Sequence, residues 1–353
     1  MQRKDPESIL NTETGAAVLI PAYEPDEKLV QTVADCMAAG LKPIVVVNDG
    51  SSDACQAHFR AIAERGVTVL THPENRGKGA AIKTGISYIA EHYPDCVGVV
   101  TADADGQHAA EDIRAVAGKL RETERGVVMG TRDFSGENIP WKSRAGNIIT
   151  SVVFRLITGL DCRDTQTGLR GIPRSLYARA LGAAGERYDY EMNFLLDAAE
   201  HACPIIPVPI RTIYLDDNRS SHFRVVRDSY LIYRRPVMFA AGALASAAID
   251  LVVFWCVLQT VFHGARSGIF LSTVLARLVS GGAKLLLQKR AVPRGEPKAL
   301  RLALFAACML LSGGGVTWLA GASAPVIPVK ILVDAVLGLL RSHALRRWNR
   351  QHP

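Results

Sequence analysis

Hydrophobic and polar positions alternate in two different ways along the first two thirds of the chain. Short, nearly continuous apolar runs, typical of buried strands, occur in AAVLIPAY, PIVVVNDG, VTVLTHP, CVGVVTAD and GVVMGTR. The segments between them have the spacing of amphipathic helices, at residues 26–39, 53–64, 78–92 and 110–122. Such strands, joined by helical crossovers, predict a Rossmann-like α/β domain with a mostly parallel sheet and helices on both of its faces.

The last third of the chain has a different pattern, because four long apolar stretches follow one another with few charges. They cover residues 237–262, 267–287, 299–320 and 325–340. The first three have the length of a membrane-spanning helix, and the fourth needs tilt or a neighbouring helix to cross a bilayer. A hydrophobic helical bundle in a soluble protein is the alternative.

Basic residues flank these stretches asymmetrically. They lie before the first stretch, between the second and third, and after the fourth, whereas the other two loops are nearly uncharged. By the positive-inside rule, this distribution predicts a four-span protein of the cytoplasmic (inner) membrane. The α/β domain and both termini are then expected in the cytoplasm.

The composition agrees with two parts of different character. The chain has 353 residues, a net charge of +7 and 48% hydrophobic residues, and its seven cysteines form no CxxC pair. Its first 15 residues contain no apolar segment, so we predict no cleavable signal. The predicted parts are an N-terminal tail (1–14), the α/β domain (15–222), a juxtamembrane interfacial helix (223–236), a four-helix transmembrane domain (237–341) and a basic cytoplasmic tail (342–353).

Charged residues interrupt the apolar stretches, among them Asp250, Arg277, Lys284, Lys330 and Asp334. An unpaired charge at the centre of a bilayer costs about 2.5–3.5 kcal/mol or more. We therefore expect these side chains to face one another inside the helical domain or to extend to the headgroups. They could serve as charge pairs that fix the helix register, or as a polar path or lipid-phosphate contact.

Polar residues follow each of the first four predicted strands. The carboxyl ends of parallel strands form the edge of the sheet where ligands bind. The residues found there are Pro21, Tyr23 and Glu24 after the first strand, Asp49 and Gly50 after the second, Lys78 after the third, and Asp103, Asp105 and Gln107 after the fourth. Carboxylates, glycines and cations at one edge predict a pocket for a ligand that carries phosphates, and Lys78 at a helix start suits a phosphate.

The sequence DAD, at the end of the fourth strand, places two like charges one residue apart. Holding Asp103 and Asp105 both ionised requires a counter-charge, and Mg²⁺ or Mn²⁺ takes one or two carboxylates together with water and phosphate oxygens. Such a metal would neutralise a departing diphosphate. In most sequences a DxD is only a helix cap or a solvated turn, but its position here favours a metal site. By periodicity, His108 should lie on the outer side of the turn.

Several motifs in this order resemble a known family. The segments LIPAYEP, VVVNDGSSD, ENRGKGAAIKTGI, VVTADADGQH, GTRDF and DTQTGLRGIP are similar to family 2 inverting glycosyltransferases of the GT-A fold, and within them to the polyprenyl-phosphate sugar synthases of the dolichyl-phosphate mannose synthase type. The segments LARLVSGGAKLLLQKRAV and VKILVDAVLGLLRSHALRRW resemble a GtrA-like four-helix membrane domain.

The resemblance implies roles for individual residues. Asp103 and Asp105 would hold Mg²⁺ or Mn²⁺ and the diphosphate, with Gln107 nearby, and Asp49 would accept a hydrogen bond from the base. The nucleotide-sugar site would comprise Pro21, Tyr23, Glu24, Asp49, Gly50, Lys78, Asp103, Ala104 and Asp105. The acceptor phosphate and diphosphate would be bound by Arg132, Ser143, Arg144, Arg170, Arg219 and His222.

The acceptor site departs from the family pattern at one position. A second arginine is expected four residues before Ser143, but Ile139 stands there, and Lys142 is a candidate replacement. A planar guanidinium binds two phosphate oxygens at once, which favours Arg132 and Arg144 as the main contacts. Asp164 and Glu191 belong to the predicted catalytic set, as candidate bases if the acceptor is an alcohol.

These inferences predict a metal-dependent hexosyltransferase. It would move one sugar from a nucleotide-diphosphate sugar to a polyprenyl (undecaprenyl-type) phosphate at the cytoplasmic face, because a lipid phosphate is already largely anionic and needs no base. The alternatives are transfer to a hydroxyl of a lipid headgroup or glycan, and a lipid-linked sugar translocator with a regulatory soluble domain. The expected partners are the donor, the lipid and the membrane, without nucleic acid, and the transmembrane domain offers a surface for homo-oligomers.

Overall fold

The computed structural model describes residues 15–134, 141–158, 160–201, 203–213, 225–287, 298–320 and 325–351. The chain divides into two compact units, one of residues 1–199 and 203–233 and the other of residues 200–202 and 234–353. Each unit has a hydrophobic core of its own.

In the first unit, strands and helices alternate along the chain as the hydrophobic pattern predicts. The strands are β1 (Ala16–Ala22), β2 (Ile44–Asn48), β3 (Thr68–Thr71), β4 (Gly98–Thr101), β5 (Val127–Arg132), β6 (Arg170–Pro173) and β7 (Ile205–Ile210). The helices are α1 (Glu27–Ala38), α2 (Gln56–Glu64), α3 (Lys78–His92), α4 (Ala110–Arg121), α5 (Trp141–Thr158), α6 (Tyr177–Gly182) and α7 (Asp189–Glu200). The first five strands and first four helices coincide with the predicted ones.

The seven strands form one sheet in the order β3-β2-β1-β4-β6-β5-β7. All pairings are parallel except those of β6, which runs antiparallel to both β4 and β5. The predicted mostly parallel sheet is therefore confirmed. Because Thr101 of β4 pairs with Arg170 of β6, the segment that enters β6 passes beside the end of β4, where the DAD sequence begins.

Helices cover both faces of this sheet, as predicted. Successive residues of β1 point to opposite sides, so Leu19 belongs to one core cluster and Val18 and Ile20 to the other. The Leu19 side contains residues of α3, α6 and α7, and the opposite side contains residues of α1, α2 and α4. A Cβ at Gly85 would overlap with the side chain of Leu19, so this glycine lets α3 lie close to β1.

The second unit consists of four long helices. They are α8 (Val225–Thr260), which begins in the first unit, α9 (Ile269–Leu287), α10 (Lys298–Leu319) and α11 (Val326–Gln351). Each contains most of one of the four predicted apolar stretches. Among the described residues, two segments are long and apolar enough to cross a membrane, Ala241–Thr260 and Leu302–Leu319.

Two predicted boundaries in this part differ from the structure. The expected interfacial helix at 223–236 is not a separate element, because α8 continues from Val225 to Thr260. Pro236 removes one backbone hydrogen bond but does not end this long helix. The expected basic tail at 342–353 is helical as far as Gln351, because α11 has no helix-breaking residue after its first turn apart from a single glycine, Gly338.

Four charged side chains form one buried network in the second unit. Lys330 is fully buried, and its Nζ lies 2.5 Å from Asp250 Oδ2 and 2.9 Å from Asp334 Oδ2. Arg277 contacts Asp334, and its Nε lies 3.7 Å from Asp250 Oδ1. The two negative and the two positive charges of the network therefore balance. The expectation that these charges face one another is confirmed for all of them except Lys284, which is exposed.

Hydroxyl groups complete the network and extend it to all four helices. Ser280 of α9 donates to Asp250 Oδ1 of α8 at 3.0 Å, and Ser312 of α10 donates to Asp334 Oδ1 of α11 at 2.5 Å. Each carboxylate therefore has both a cation and a hydroxyl donor, which offsets the cost of burying it.

Replacing one member of this network should destabilise the second unit more than replacing a matched pair. Lys330→Met leaves an excess negative charge and should cost about 3–5 kcal/mol, whereas Asp250→Leu/Lys330→Met keeps the network neutral and should cost much less. The measurement is the thermal unfolding midpoint of the full chain in detergent, with the exposed Lys284→Met as control. A single variant as stable as the double variant would contradict this expectation.

Candidate active site

The predicted ligand-binding edge of the sheet contains a compact group of charged side chains. Asp103 follows β4, Lys78 is the first residue of α3, and Glu191 lies in the first turn of α7. Lys78 Nζ lies 2.7 Å from Asp103 Oδ1 and 3.2 Å from Glu191 Oε1. The structure therefore brings together three predicted site residues that are far apart in the sequence.

Asp103 is fixed from three directions. Besides Lys78, His108 Nε2 lies 3.3 Å from Asp103 Oδ2. A Cβ at Gly168 would overlap with the Asp103 carboxylate, so a larger residue where this loop crosses the site would displace that side chain. The same loop is tied to β4, because Thr101 Oγ1 donates to the Gly168 carbonyl at 2.7 Å.

The pKa values of the two aspartates of DAD are shifted in opposite directions. Burial opposes the ionisation of Asp103, but Lys78 and His108 outweigh it and hold its pKa well below the usual range. Burial raises the pKa of Asp105, and the neighbouring Asp103 carboxylate raises it further. The backbone of Gln107 donates to Asp105 Oδ1 at 3.0 Å and favours the ionised form only in part. A cation close to both carboxylates would favour ionisation of the pair.

The residues present fit a divalent cation that also binds a substrate phosphate. Asp103 and Asp105 supply the hard carboxylate oxygens that Mg²⁺ and Mn²⁺ prefer. Across the described parts of the chain, no group of three or more His, Cys, Asp or Glu residues is placed to bind a metal ion. Mg²⁺ that is bound with phosphates usually completes its coordination with water and phosphate oxygens.

Lys78 carries a firmly held positive charge. Burial alone would lower the pKa of its ammonium group, but Asp103 and Glu191 raise the pKa above its usual value. Gly77, immediately before α3, has a φ of +104°, a backbone conformation that favours glycine. The predicted helix start after Gly77 is thus confirmed, and the ammonium contacts two carboxylates whose pairing with Lys78 no sequence pattern indicated.

The expectation for His108 is wrong. His108 is 7% exposed and faces Asp103, instead of lying on the outer side of the turn. Gly106 has a φ of +77°, and Asp105 accepts a hydrogen bond from the backbone of Gln107. The chain therefore reverses direction here, and the periodicity of the preceding strand does not continue into the turn. Ala104, between the two aspartates, is partly buried.

Asp49 is buried, and its carboxylate connects the loop after β2 to the loop before α3. Its Oδ1 accepts from the Arg76 backbone at 3.0 Å and contacts His72 Nδ1 at 2.7 Å, while its Oδ2 accepts from the Gly77 backbone at 2.7 Å. With 2% exposure, Asp49 does not present a carboxylate to a nucleobase as predicted. Three protein donors occupy it because the segment before α3 folds back over the end of β2.

His72 is a residue of this edge that sequence reasoning missed. Its Nε2 lies 2.9 Å from Thr84 Oγ1 of α3, while its Nδ1 faces Asp49. It comes directly after β3, so its position at a strand end was the available signal. His72 therefore connects β3, the Asp49 loop and α3.

The loop after β1 is bound to the loop after β2. Glu24 Oε1 accepts from the Ser52 backbone at 2.6 Å and Glu24 Oε2 accepts from Ser52 Oγ at 2.9 Å. Tyr23, at 38% exposure, presents part of its ring at this edge. Pro21 is buried within β1, so it does not reach an exposed ligand surface. Gly50 has a φ of +70°, and a Cβ there would overlap with the backbone of Glu74.

Asp164 is paired with Arg132. Arg132 Nε donates to Asp164 Oδ2 at 2.7 Å and Nη2 donates to Oδ1 at 3.1 Å, a two-point contact. Asp164 is 1% exposed and also accepts from the Gln166 backbone. It is therefore not placed as a base, contrary to one of the predicted roles. Its contact instead orients the guanidinium that was predicted to bind an acceptor phosphate.

Arg170 is a structural residue in this fold, and its predicted contact with a phosphate is wrong. It is 2% exposed, and its guanidinium donates to three backbone carbonyls, those of Thr167 at 2.9 Å, Glu191 at 2.6 Å and Thr165 at 3.2 Å. No sequence pattern indicated its burial, because Arg170 lies within a polar motif. The guanidinium joins the loop before β6 to the start of α7.

Three of the candidate acceptor residues lie at the start of α5. Ser143 and Lys142 belong to its first turn, and Arg144 is partly exposed. One turn later, Asn147 Nδ2 donates to the Arg163 carbonyl at 2.7 Å, so α5 packs beside the segment that carries Asp164. Ile139, Arg219 and His222 lie outside the described residues.

Comparisons with known proteins bear on this site. Residues 17–180 match the family model "Glycosyl transferase family 2". The chain is 28% identical over 235 residues to UDP-N-acetylglucosamine–dolichyl-phosphate N-acetylglucosaminyltransferase of Methanococcus voltae, covering 62% of this chain and 93% of that protein. It is 24% identical over 262 residues to dolichyl-phosphate beta-glucosyltransferase of Drosophila melanogaster, covering 66% of this chain and 78% of that protein.

Among solved structures, glucosyl-3-phosphoglycerate synthase from Mycobacterium tuberculosis, in complex with Mn²⁺, UDP and glucosyl-3-phosphoglycerate, aligns with a TM-score of 0.48 and 16% identity. The alignment covers 67% of this chain and 84% of the synthase chain. The family match contains the strand ends, Asp103, Asp105 and the loop that carries Asp164. Residues 17–180 of this chain are therefore similar to glycosyl transferase family 2.

Proposed function

We propose that this protein is a metal-dependent glycosyltransferase that moves one hexose from a nucleotide-diphosphate sugar to a polyprenyl phosphate of the undecaprenyl type. The observation that carries the proposal is the pair Asp103 and Asp105 beside Lys78 at the ligand-binding edge of a domain similar to glycosyl transferase family 2. The names of the relatives, two transferases that act on dolichyl phosphate, support a lipid phosphate as the acceptor.

In this reaction the chain's own residues bind and orient two anionic substrates. Asp103 and Asp105 would hold Mg²⁺ or Mn²⁺, which when bound stabilises charge on the departing diphosphate. An oxygen of the lipid phosphate forms the new bond to the anomeric carbon, while the bond from that carbon to the donor diphosphate breaks with inversion. The nucleoside diphosphate leaves with the electron pair of that bond.

The contacts of the acidic residues favour a phosphate acceptor over a hydroxyl acceptor. A hydroxyl must lose a proton to a base, whereas a phosphate monoester, with a second pKa of about 6, is largely ionised at neutral pH. Asp164 is bound at two points by Arg132, and Glu191 is paired with Lys78. Both candidate bases are therefore engaged by cations, and Arg132 is oriented for an anion.

The second unit supports action at a membrane surface. We infer that α8 to α11 are four spans of the cytoplasmic membrane, with the family 2 domain and both termini in the cytoplasm. The two segments of membrane-spanning length and the neutral charge network shared by all four helices support this topology. A lipid acceptor would then reach the transferase domain from the same membrane.

Removing either metal-binding carboxylate should abolish transfer. We expect Asp103→Asn and Asp105→Asn to lower kcat about 10³-fold or more, because the departing diphosphate loses its main charge stabilisation. The assay incubates the purified full chain with undecaprenyl phosphate, Mn²⁺ and a panel of nucleotide sugars, and mass spectrometry detects the glycolipid. Asp35→Asn, an exposed change on α1, is the control. Full turnover in excess chelator would refute the proposal.

Arg132 and Asp164 should act as one unit in binding the acceptor. We expect Arg132→Lys and Asp164→Asn each to raise KM for polyprenyl phosphate about 10- to 100-fold, the value of a charge-assisted hydrogen bond, with little effect on KM for the donor. The double variant should be no worse than either single variant. Arg163→Lys, at an adjacent exposed residue, is the control.

The same series separates the phosphate and hydroxyl acceptors. If Asp164 were a base, Asp164→Asn would lower kcat without raising the acceptor KM, and the effect would disappear at high pH. A product from which mild acid does not release the sugar would also favour the hydroxyl acceptor.

A further inference from the structure

Lys78 occupies an unusual position between the metal-binding pair and an acid on another element. Its Nζ contacts Asp103 Oδ1 at 2.7 Å and Glu191 Oε1 at 3.2 Å, and the side chain is 18% exposed. The oxygen it contacts belongs to a carboxylate that we expect to bind the divalent cation. An ammonium group and a divalent cation repel each other and use the same oxygen lone pairs.

The surroundings of Glu191 hold its carboxylate beside the Lys78 ammonium group. It is 9% exposed, and its Oε1 also lies 4.0 Å from Arg170 Nε. Arg170 donates to the backbone carbonyl of Glu191 itself at 2.6 Å, which fixes the start of α7. Glu191 therefore offers Lys78 a second, permanently positioned carboxylate besides Asp103.

His108 supplies Asp103 with a contact that does not depend on Lys78. Its Nε2 faces Oδ2, whereas Lys78 faces Oδ1. Asp103 can therefore keep its orientation when the ammonium group leaves it. The Lys78 contact on Oδ1 could therefore be exchanged while the His108 contact on Oδ2 is kept.

We propose that Lys78 is a displaceable counter-ion of Asp103, anchored by Glu191, that competes with the divalent cation for the Asp103 carboxylate and then contacts the donor diphosphate. In this arrangement Glu191 is a positioning residue for Lys78 and not a base. The inference rests on the proposed function, because it assigns Asp103 to the metal and the nearby space to the diphosphate.

Competition has a consequence that ordinary phosphate binding by Lys78 does not have. Removing the ammonium group should make it easier for a metal alone to bind, and harder for a nucleoside diphosphate to bind with the metal. Two binding equilibria should therefore change in opposite directions in the same variant. A lysine that only binds phosphate would change the second equilibrium alone.

The test measures Mn²⁺ binding to the full chain in detergent without nucleotide, by the loss of the free Mn²⁺ signal in electron paramagnetic resonance. Lys78→Met should tighten Mn²⁺ binding at least about fivefold, because no charge-assisted hydrogen bond to Asp103 has to be broken. In the presence of Mn²⁺, the same variant should bind UDP or GDP, whichever the wild type binds, at least about tenfold more weakly. Lys78→Arg should restore competition in part.

A matched control separates competition from a general change in charge. Lys83 lies on the same helix, but its Nζ donates to the Gly185 carbonyl and lies over the Tyr190 ring instead of contacting a carboxylate. Lys83→Met removes the same charge and should change Mn²⁺ affinity less than twofold. Thermal midpoints confirm that each variant is folded.

The outcomes distinguish this inference from the proposed function. If Lys78→Met leaves Mn²⁺ binding unchanged or weakens it while the wild type transfers sugar to polyprenyl phosphate, the competition is refuted and the function stands. An equal tightening in Lys83→Met would also refute it. If the wild type neither transfers sugar nor binds Mn²⁺ with nucleotide, the proposed function itself fails.

Discussion

The site depends on one electrostatic constraint: two carboxylates at the end of a buried strand need positive charge close by. The contacts of Asp103 with Lys78 and His108 outweigh its burial and hold its pKa below the usual range. Burial raises the pKa of Asp105, and the Asp103 carboxylate raises it further. Additional positive charge near the pair would favour the ionised form of both acids.

Acidic residues at this sheet edge also hold its loops together. Asp49 joins the end of β2 to the start of α3, Glu24 joins the loops after β1 and β2, and Asp164 joins its own loop to the end of β5. Each uses backbone amides, a hydroxyl or an arginine as its partner. These contacts form a rigid frame around Asp103 and Asp105. Rigid positioning of charge is what stabilises charge that develops in a transition state.

The sequence predicted the features that depend on local pattern. The first five strands and the helix start at Lys78 follow from periodicity, and the placement of Lys78 and Asp103 at one edge follows from the geometry of parallel sheets. It did not predict which partner each charged residue takes, since Arg132 and Asp164 are separated by 32 positions. Burial of Arg170 and Asp49 and the reversal at Gly106 depend on tertiary packing, which no local pattern encodes.

The charge network of the second unit has a consequence for biosynthesis. Asp250 and Arg277 lie on α8 and α9 and emerge first, while Lys330 and Asp334 lie four residues apart on α11 and emerge together. Each half of the network is neutral by itself. If these helices enter a bilayer in chain order, neither half of the network carries a net charge while it is in the lipid. Final assembly then forms contacts between two neutral pairs.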